Sequence, residues 1–270
     1  RGFESPSLRQ TCRVRTIVGP GAADLTRASE PAVATVRNVE KIVTILWRPE
    51  GQPKQSFADA LVSEAAPRMI AAGARWLKVC VEDDAVDADP LRMNPVPPPK
   101  AAMVSYWVEC HEDRKPLEDE LARHASTLAS FLVLESRPVV NTEHVAEPGA
   151  RTPGMVQVTA IVRRPDISED EFRRIWHEEQ RPCAIETQST FGYVRNEIVR
   201  TLAGDPPPWD AIVEESFPLE AMSDPAVFFD AVGDPDKLAA NIERMVDTVS
   251  RMLDLGQTDV TITSEYVFER

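Results

Sequence analysis

Trp176 and Gln180 stand four residues apart in a stretch with helical periodicity, so they share one helix face. An indole wall beside a carboxamide that both donates and accepts is what a small-molecule cleft needs. The same pair equally suits a core tryptophan next to a satisfied, buried glutamine. His177 is the natural acid or base nearby, because its ordinary pKa lies close to neutrality. It follows Trp176 by one residue, about 100° round the helix, where it could instead be solvated. Tyr193 offers a phenol to the same cavity, or else edges the core. The neighbouring carboxylates Glu178-Glu179 and Glu214-Glu215 are not expected to form acid/base dyads. Adjacent residues diverge on a helix and point to opposite faces of a strand.

No metal is expected. His111 and His144 fall near strand ends with no second ligand at metal spacing, and His124 lies on an apolar helical stripe. The run Glu82-Asp83-Asp84 with Asp87 and Asp89 lacks the glycine and terminal glutamate of a calcium loop, and reads as a solvated turn. Cys183 follows Pro182 without an obvious base and reads as packing.

The 270 residues carry 30 basic and 44 acidic side chains, a net charge of −14. A phosphate backbone or an anionic membrane repels such a surface, so nucleic acid and membrane are excluded as partners. With 43% hydrophobic and 27% charged residues, a packed core can form. No stretch reaches the roughly 18 apolar residues of a membrane span. Cys12, Cys80, Cys110 and Cys183 form no C-x-x-C pair and no disulfide framework, which favours a reduced, cytoplasmic setting.

Residues 1–37 lack periodicity and read as a disordered tail. The chain opens without Met, and Gly2-Phe3-Glu4-Ser5-Pro6 resembles the end of a transfer-RNA gene read as codons. The tail is therefore expected to be translated upstream DNA, with the true start at Val33, Val36 or Val39.

An internal repeat organises the rest. Ile42–Pro49 aligns with Val158–Pro165, 116 residues further on. At a shift of 115, Phe57 meets Phe172, Leu61 meets Trp176, Glu64 meets Glu179 and Pro67 meets Pro182. Thr142–Val145 aligns with Ser264–Val267. Two copies follow, over 38–145 and 155–270, with a Pro/Gly-punctuated linker at 146–154. Each copy reads β-α-β-β-α-β. The second has a capping pair, Ser168 with Glu171, at its first helix, strands over 191–202 and 209–217, and a long helix capped by Asp234. The first has a helix over 56–72, a helix from Pro116 to about Leu132 and a last strand over about 136–145. The expected fold class is α+β: two tandem ferredoxin-like domains. Strands apolar on both faces, such as Ile42–Leu46, imply that the two sheets bury each other.

Phe172-x-x-x-Trp176-x-x-x-Gln180-x-Pro182 resembles the first-helix pattern of the EthD family of the dimeric α-β barrel superfamily, with Gln180 where the family has histidine. Trp209-Asp210-Ala211 resembles that family's Tyr-Asp-Gly at the start of the third strand. The resemblance covers about residues 155–268. It implies one chain making, as an internal pseudo-dimer, the barrel that relatives make as dimers, with room for a further homodimer. It also places Trp209 as a ligand wall and Asp210 as a carboxylate orienting His177 or a ligand hydroxyl. A turn-capping Asp210 after Pro206-Pro207-Pro208 is the alternative.

The functional expectation is a cofactor-independent dehydratase, isomerase or cyclase acting on an apolar or aromatic oxygenated small molecule. His177, Gln180 and Asp210 are its expected catalytic residues, and Trp176, Tyr193 and Trp209 line its ligand. The alternative is a non-catalytic ligand-binding or accessory protein, favoured by Gln180 in place of histidine. Haem binding, a third reading, needs a histidine on the cleft face.

Overall fold

Ile42 and Leu46 pack beneath helices, while Val43 and Ile45 between them point into the interior of a closed barrel. Burial on both sides is why this strand is apolar on both faces. The computed structural model describes residues 39–86, 92–95 and 97–268. The expected tail over 1–37, with the candidate starts Val33 and Val36, lies outside the described residues, as do Asp87 and Asp89.

Eight strands are described: β1 (Glu40–Trp47), β2 (Arg75–Val81), β3 (Ala102–Val108), β4 (Thr127–Val139), β5 (Met155–Ile161), β6 (Gly192–Ala203), β7 (Ala211–Phe217) and β8 (Asp259–Val267). They close in the order β1-β3-β2-β8-β5-β7-β6-β4, and all eight ladders are antiparallel. Closure leaves no unpaired sheet edge. The helices are α1 (residues 54–71), α2 (Lys115–Ala122), α3 (residues 169–187), α4 (Pro225–Phe228) and α5 (Pro235–Met252). The ladders β4–β6 and β2–β8 join the two halves of the chain into one sheet.

Local chemistry explains several boundaries. Ser168 Oγ accepts from the Glu171 amide at 3.1 Å, and an Asp234 carboxylate oxygen accepts from the Lys237 amide at 2.9 Å, so α3 and α5 begin on side-chain caps. The Glu171 carboxylate pairs with Arg174 at 2.8 Å, not with the Ser168 amide. Gly204 ends β6 with φ +80°, and a Cβ there would approach the Leu128 carbonyl oxygen to 2.3 Å. The segment at 146–154 is tied to β8: Arg151 Nε donates to Ser264 Oγ at 2.7 Å and the Thr152 amide to the Glu265 carbonyl at 2.8 Å.

The end of the first half departs from the sequence expectation. The helix expected to reach about Leu132 stops at Ala122, and β4 runs from Thr127 to Val139. Leu128 therefore lies on a strand. Ala129, Phe131 and Val133 alternate into the barrel, and ladders to β1 and β6 occupy the β4 backbone on both sides, which outweighs a local leucine spacing of helical period. As a result Thr142–Val145 lies outside any strand while its sequence partner Ser264–Val267 lies in β8, so that alignment does not pair equivalent elements.

Both α1 and α3 contain a π-helical stretch, Leu61–Ala65 and Ile175–Gln180. Such one-turn widenings of an α-helix recur at functional sites. Among the described residues, no helix is long and apolar enough to cross a membrane.

Candidate functional site

The second half covers its sheet with α3 and α5, and a cavity of about 220 Å³ lies between helices and strands. The π-helical stretch of α3 brings Trp176 and Gln180 to its wall, β6 contributes Tyr193 and β7 contributes Glu215. Trp176 Nε1 donates to the Tyr193 hydroxyl at 3.3 Å. The Arg195 guanidinium lies 5.3 Å from the Trp176 ring centroid, within cation–π range. Gln180 Nε2 donates to Met245 Sδ at 3.1 Å, and Gln180 Oε1 accepts from Thr248 Oγ1. Both ends of this amide are thus engaged by α5.

Glu215 is the chemically distinctive member. Its carboxylate is buried and makes no hydrogen bond or ion pair among the described residues. Burial alone pushes its pKa up to about 7. Tyr193 is its partner across the β6–β7 ladder, and burial together with the Glu215 charge raises the tyrosine pKa. A carboxyl group balanced near neutral pH can take and return a proton. Sequence reasoning passed over Glu215 because it set aside both members of the Glu214-Glu215 pair as not a dyad. Strand alternation was the available signal: one of the pair had to face the helices.

Three expected site residues lie together at this cleft, Trp176, Gln180 and Tyr193. The other three do not. His177 turns away from the cavity, with Nε2 3.4 Å from Glu197 Oε1. Burial and the Arg195 charge lower its pKa, and Glu197 opposes them. Asp210 is exposed, and its Oδ2 accepts from the Arg163 amide at 2.7 Å, a bond to the segment after β5 and not within the turn after Pro206-Pro207-Pro208. Trp209 packs in the barrel interior, stacked on Trp47 with centroids 6.3 Å apart and planes 11° apart. With His177 facing Glu197, the cavity lining offers no imidazole to a haem iron.

Glu214 points the other way, into the barrel. It lies with Lys41, Lys78, Glu135 and Glu265 in a charged layer beyond the apolar interior. Burial raises the Glu214 pKa, but the Lys78 and Lys41 ammonium groups outweigh it and hold the carboxyl at about 2. Cys80, Glu214 and Glu265 place their ligand atoms within 4.8 Å of one another. The Lys78 ammonium bonds Glu214 and stands 3.6 Å from Glu265, so a lysine already supplies the cation there.

A helix-covered cleft on a closed sheet defines the class: this is a mixed α+β protein whose eight strands close into one barrel. The EthD domain model matches residues 164–248 of this chain. That span includes all of α3, both strands bearing Tyr193 and Glu215, and most of α5. An anthrone oxidase-like protein of known structure is similar at 9% identity, with 86% of this chain and 94% of that one covered and a TM-score of 0.52. A mutant chlorite dismutase from Candidatus Nitrospira defluvii shares 10% identity over 84% of this chain and 90% of that one, with a TM-score of 0.46. No curated protein matches the sequence.

Proposed function

We propose that this chain is a small-molecule enzyme that moves a proton on an apolar or aromatic oxygenated substrate bound in the α3–α5 cleft. The observation that carries this reading is Glu215, a buried carboxyl group with a pKa of about 7 and no protein partner, in the wall of a cavity. As carboxylate it removes a proton from carbon next to a carbonyl, and as acid it returns the proton to another position of the same molecule. Isomerisation is the simplest such reaction, and cyclisation or dehydration uses the same acid and base. Tyr193 donates to the substrate oxygen, Gln180 holds the cleft wall and Trp176 is the apolar surface beside it. No cofactor is needed for this step. His177 and Asp210 act from outside the cleft, by holding β6 and the β5–β7 connection in place.

A second reading has its own observation. Gln180 stands where the family pattern has histidine, and α5 engages both ends of its amide. That favours a ligand-binding or accessory protein without turnover.

We also propose that the chain is a tandem of two β-α-β-β-α-β copies, over about 38–145 and 155–270, forming the barrel as an internal pseudo-dimer. The support is the same element order in each half apart from the added α4, strand orders β4-β1-β3-β2 and β8-β5-β7-β6, and π-helical stretches at matching places in α1 and α3.

Solvent exchange tests the enzymatic reading. Cyclohexanone and 1-tetralone, incubated with the protein in D₂O and followed by NMR, are expected to gain deuterium next to the carbonyl faster than in buffer, and Glu215→Gln is expected to abolish the gain. Acceleration that survives Glu215→Gln overturns the role of Glu215. Saturable binding without acceleration supports the binding-protein reading.

A further inference from the structure

The charged layer of the barrel opens into a cavity of about 690 Å³, three times the volume of the α3–α5 cleft and on the opposite side of the sheet. Its size falls within the range of ordinary ligand sites, about 300–1,000 Å³. Its wall is aromatic. Trp76 and Trp107 meet edge to face, with centroids 6.0 Å apart at 86°. Trp76 has φ +46°, a left-handed conformation that bulky side chains avoid, and it falls where the β2–β3 register shifts between Arg75 and Lys78. Backbone held in that region against its preference clusters at ligand clamps.

The floor is charged, and its charges cancel. Lys78 lies between Glu214 and Glu265, Lys41 stands 3.5 Å from Glu135 and 3.7 Å from Glu214, and Arg137 Nε donates to Glu135, so three cations face three carboxylates. A charged ligand must displace one of these partners, so the lining discriminates against both signs. Hydrogen-bonding capacity nevertheless remains. The Glu265 carboxylate has its nearest cation at 3.6 Å, beyond hydrogen-bond distance, and makes no hydrogen bond among the described residues. Glu265 lines the cavity, and an acceptor without a donor fits a hydroxyl, which offers one.

We infer that the open end of the barrel is a second ligand site, which takes a flat, uncharged ring compound bearing a hydroxyl group. The ring lies against the Trp76–Trp107 wall, and its hydroxyl donates to Glu265. The site is separate from Glu215 and stands whether or not the cleft is catalytic.

Equilibrium dialysis of the full chain with 2-naphthol at pH 7 tests this, with 2-naphthoate and 2-naphthylmethylamine as anionic and cationic counterparts. Saturable retention of 2-naphthol is expected. Trp107→Ala and Glu265→Gln each weaken it at least about tenfold, both charged analogues bind at least about tenfold more weakly than 2-naphthol, and Glu215→Gln leaves naphthol retention at the wild-type level. If Trp107→Ala fails to fold, the near-isosteric Glu265→Gln decides, provided its near-ultraviolet circular dichroism matches the wild type. The inference is overturned if 2-naphthol is not retained, if retention survives Glu265→Gln, if either charged analogue binds as tightly, or if Glu215→Gln abolishes retention.

Discussion

Tyr193 on β6 and Glu215 on β7 are direct cross-strand partners on the helix-covered face of the barrel. Opposed residues of an antiparallel pair have Cβ atoms about 4.5–5.5 Å apart, so a phenol and an unpaired carboxyl share one small cavity. The Tyr193 hydroxyl already accepts from Trp176 Nε1 at 3.3 Å. Its own proton is free to point at a ligand or at Glu215.

Stability should carry the signature of Glu215. Its folded pKa, about 7, lies above the ordinary value of 4.5, so between those pH values the folded chain holds a proton that the unfolded chain has lost. The contribution of this group is therefore fully present below about pH 4.5, declines through that window and is absent above about pH 7, a difference of about 3 kcal/mol. Glu215→Gln is expected to raise the melting temperature at pH 8 and to change it little at pH 4.5. Equal effects at both pH values would contradict an isolated buried carboxyl.

Glu214, one residue away, has the opposite sign. Lys78 and Lys41 hold its pKa at about 2, so its contribution is present above about pH 4.5 and is lost as pH falls toward 2. Glu214→Gln leaves two buried ammonium groups without their shared carboxylate and is expected to cost about 3–5 kcal/mol at pH 7. Replacing Lys78 and Glu214 together by apolar residues should cost less than either single change. Denaturant titration of the two single variants and the double variant provides the comparison.

Trp176→Phe separates the indole hydrogen bond from the indole volume. It removes the donor to Tyr193 and leaves an aromatic ring on α3, for an expected cost of about 1 kcal/mol. Trp176→Ala opens a cavity among Phe172, Tyr193 and Met245 and is expected to cost about 3–5 kcal/mol. Urea unfolding of both variants distinguishes the two terms.

His177→Ala should leave the pH profile of any turnover with its inflection near 7, because the imidazole faces Glu197 and the cavity carboxyl is Glu215. Loss of that inflection in His177→Ala, with Glu215 intact, would return the proton-transfer role to the histidine.

Gly204→Ala is expected to destabilise the β4–β6 ladder by about 1–3 kcal/mol, since the new methyl must share space with the Leu128 carbonyl at a backbone angle alanine disfavours. Thermal unfolding measures it, and an unchanged melting temperature would show that this strand end relaxes freely.

The sequence by itself determined the element order, the two-sided burial of the strands and the pairing of Trp176 with Gln180 on one helix face. Those features depend on local periodicity, which side-chain type and spacing carry directly. It misplaced the start of β4, because Leu117, Leu121 and Leu128 repeat with helical spacing while the partners that make 127–139 a strand, β1 and β6, are remote in the chain. Assignment of the site divided along the same line. Trp176, Gln180 and Tyr193 converge because their elements are adjacent in the chain, whereas the direction of His177, the bond from the Arg163 amide to Asp210 and the stacking of Trp209 on Trp47 follow from contacts made only when the barrel closes. Glu214 and Glu215 show the division most clearly. Strand alternation sends them to opposite faces, but barrel closure decides that one meets two lysines and is held at about 2 while the other meets no partner and rises to about 7.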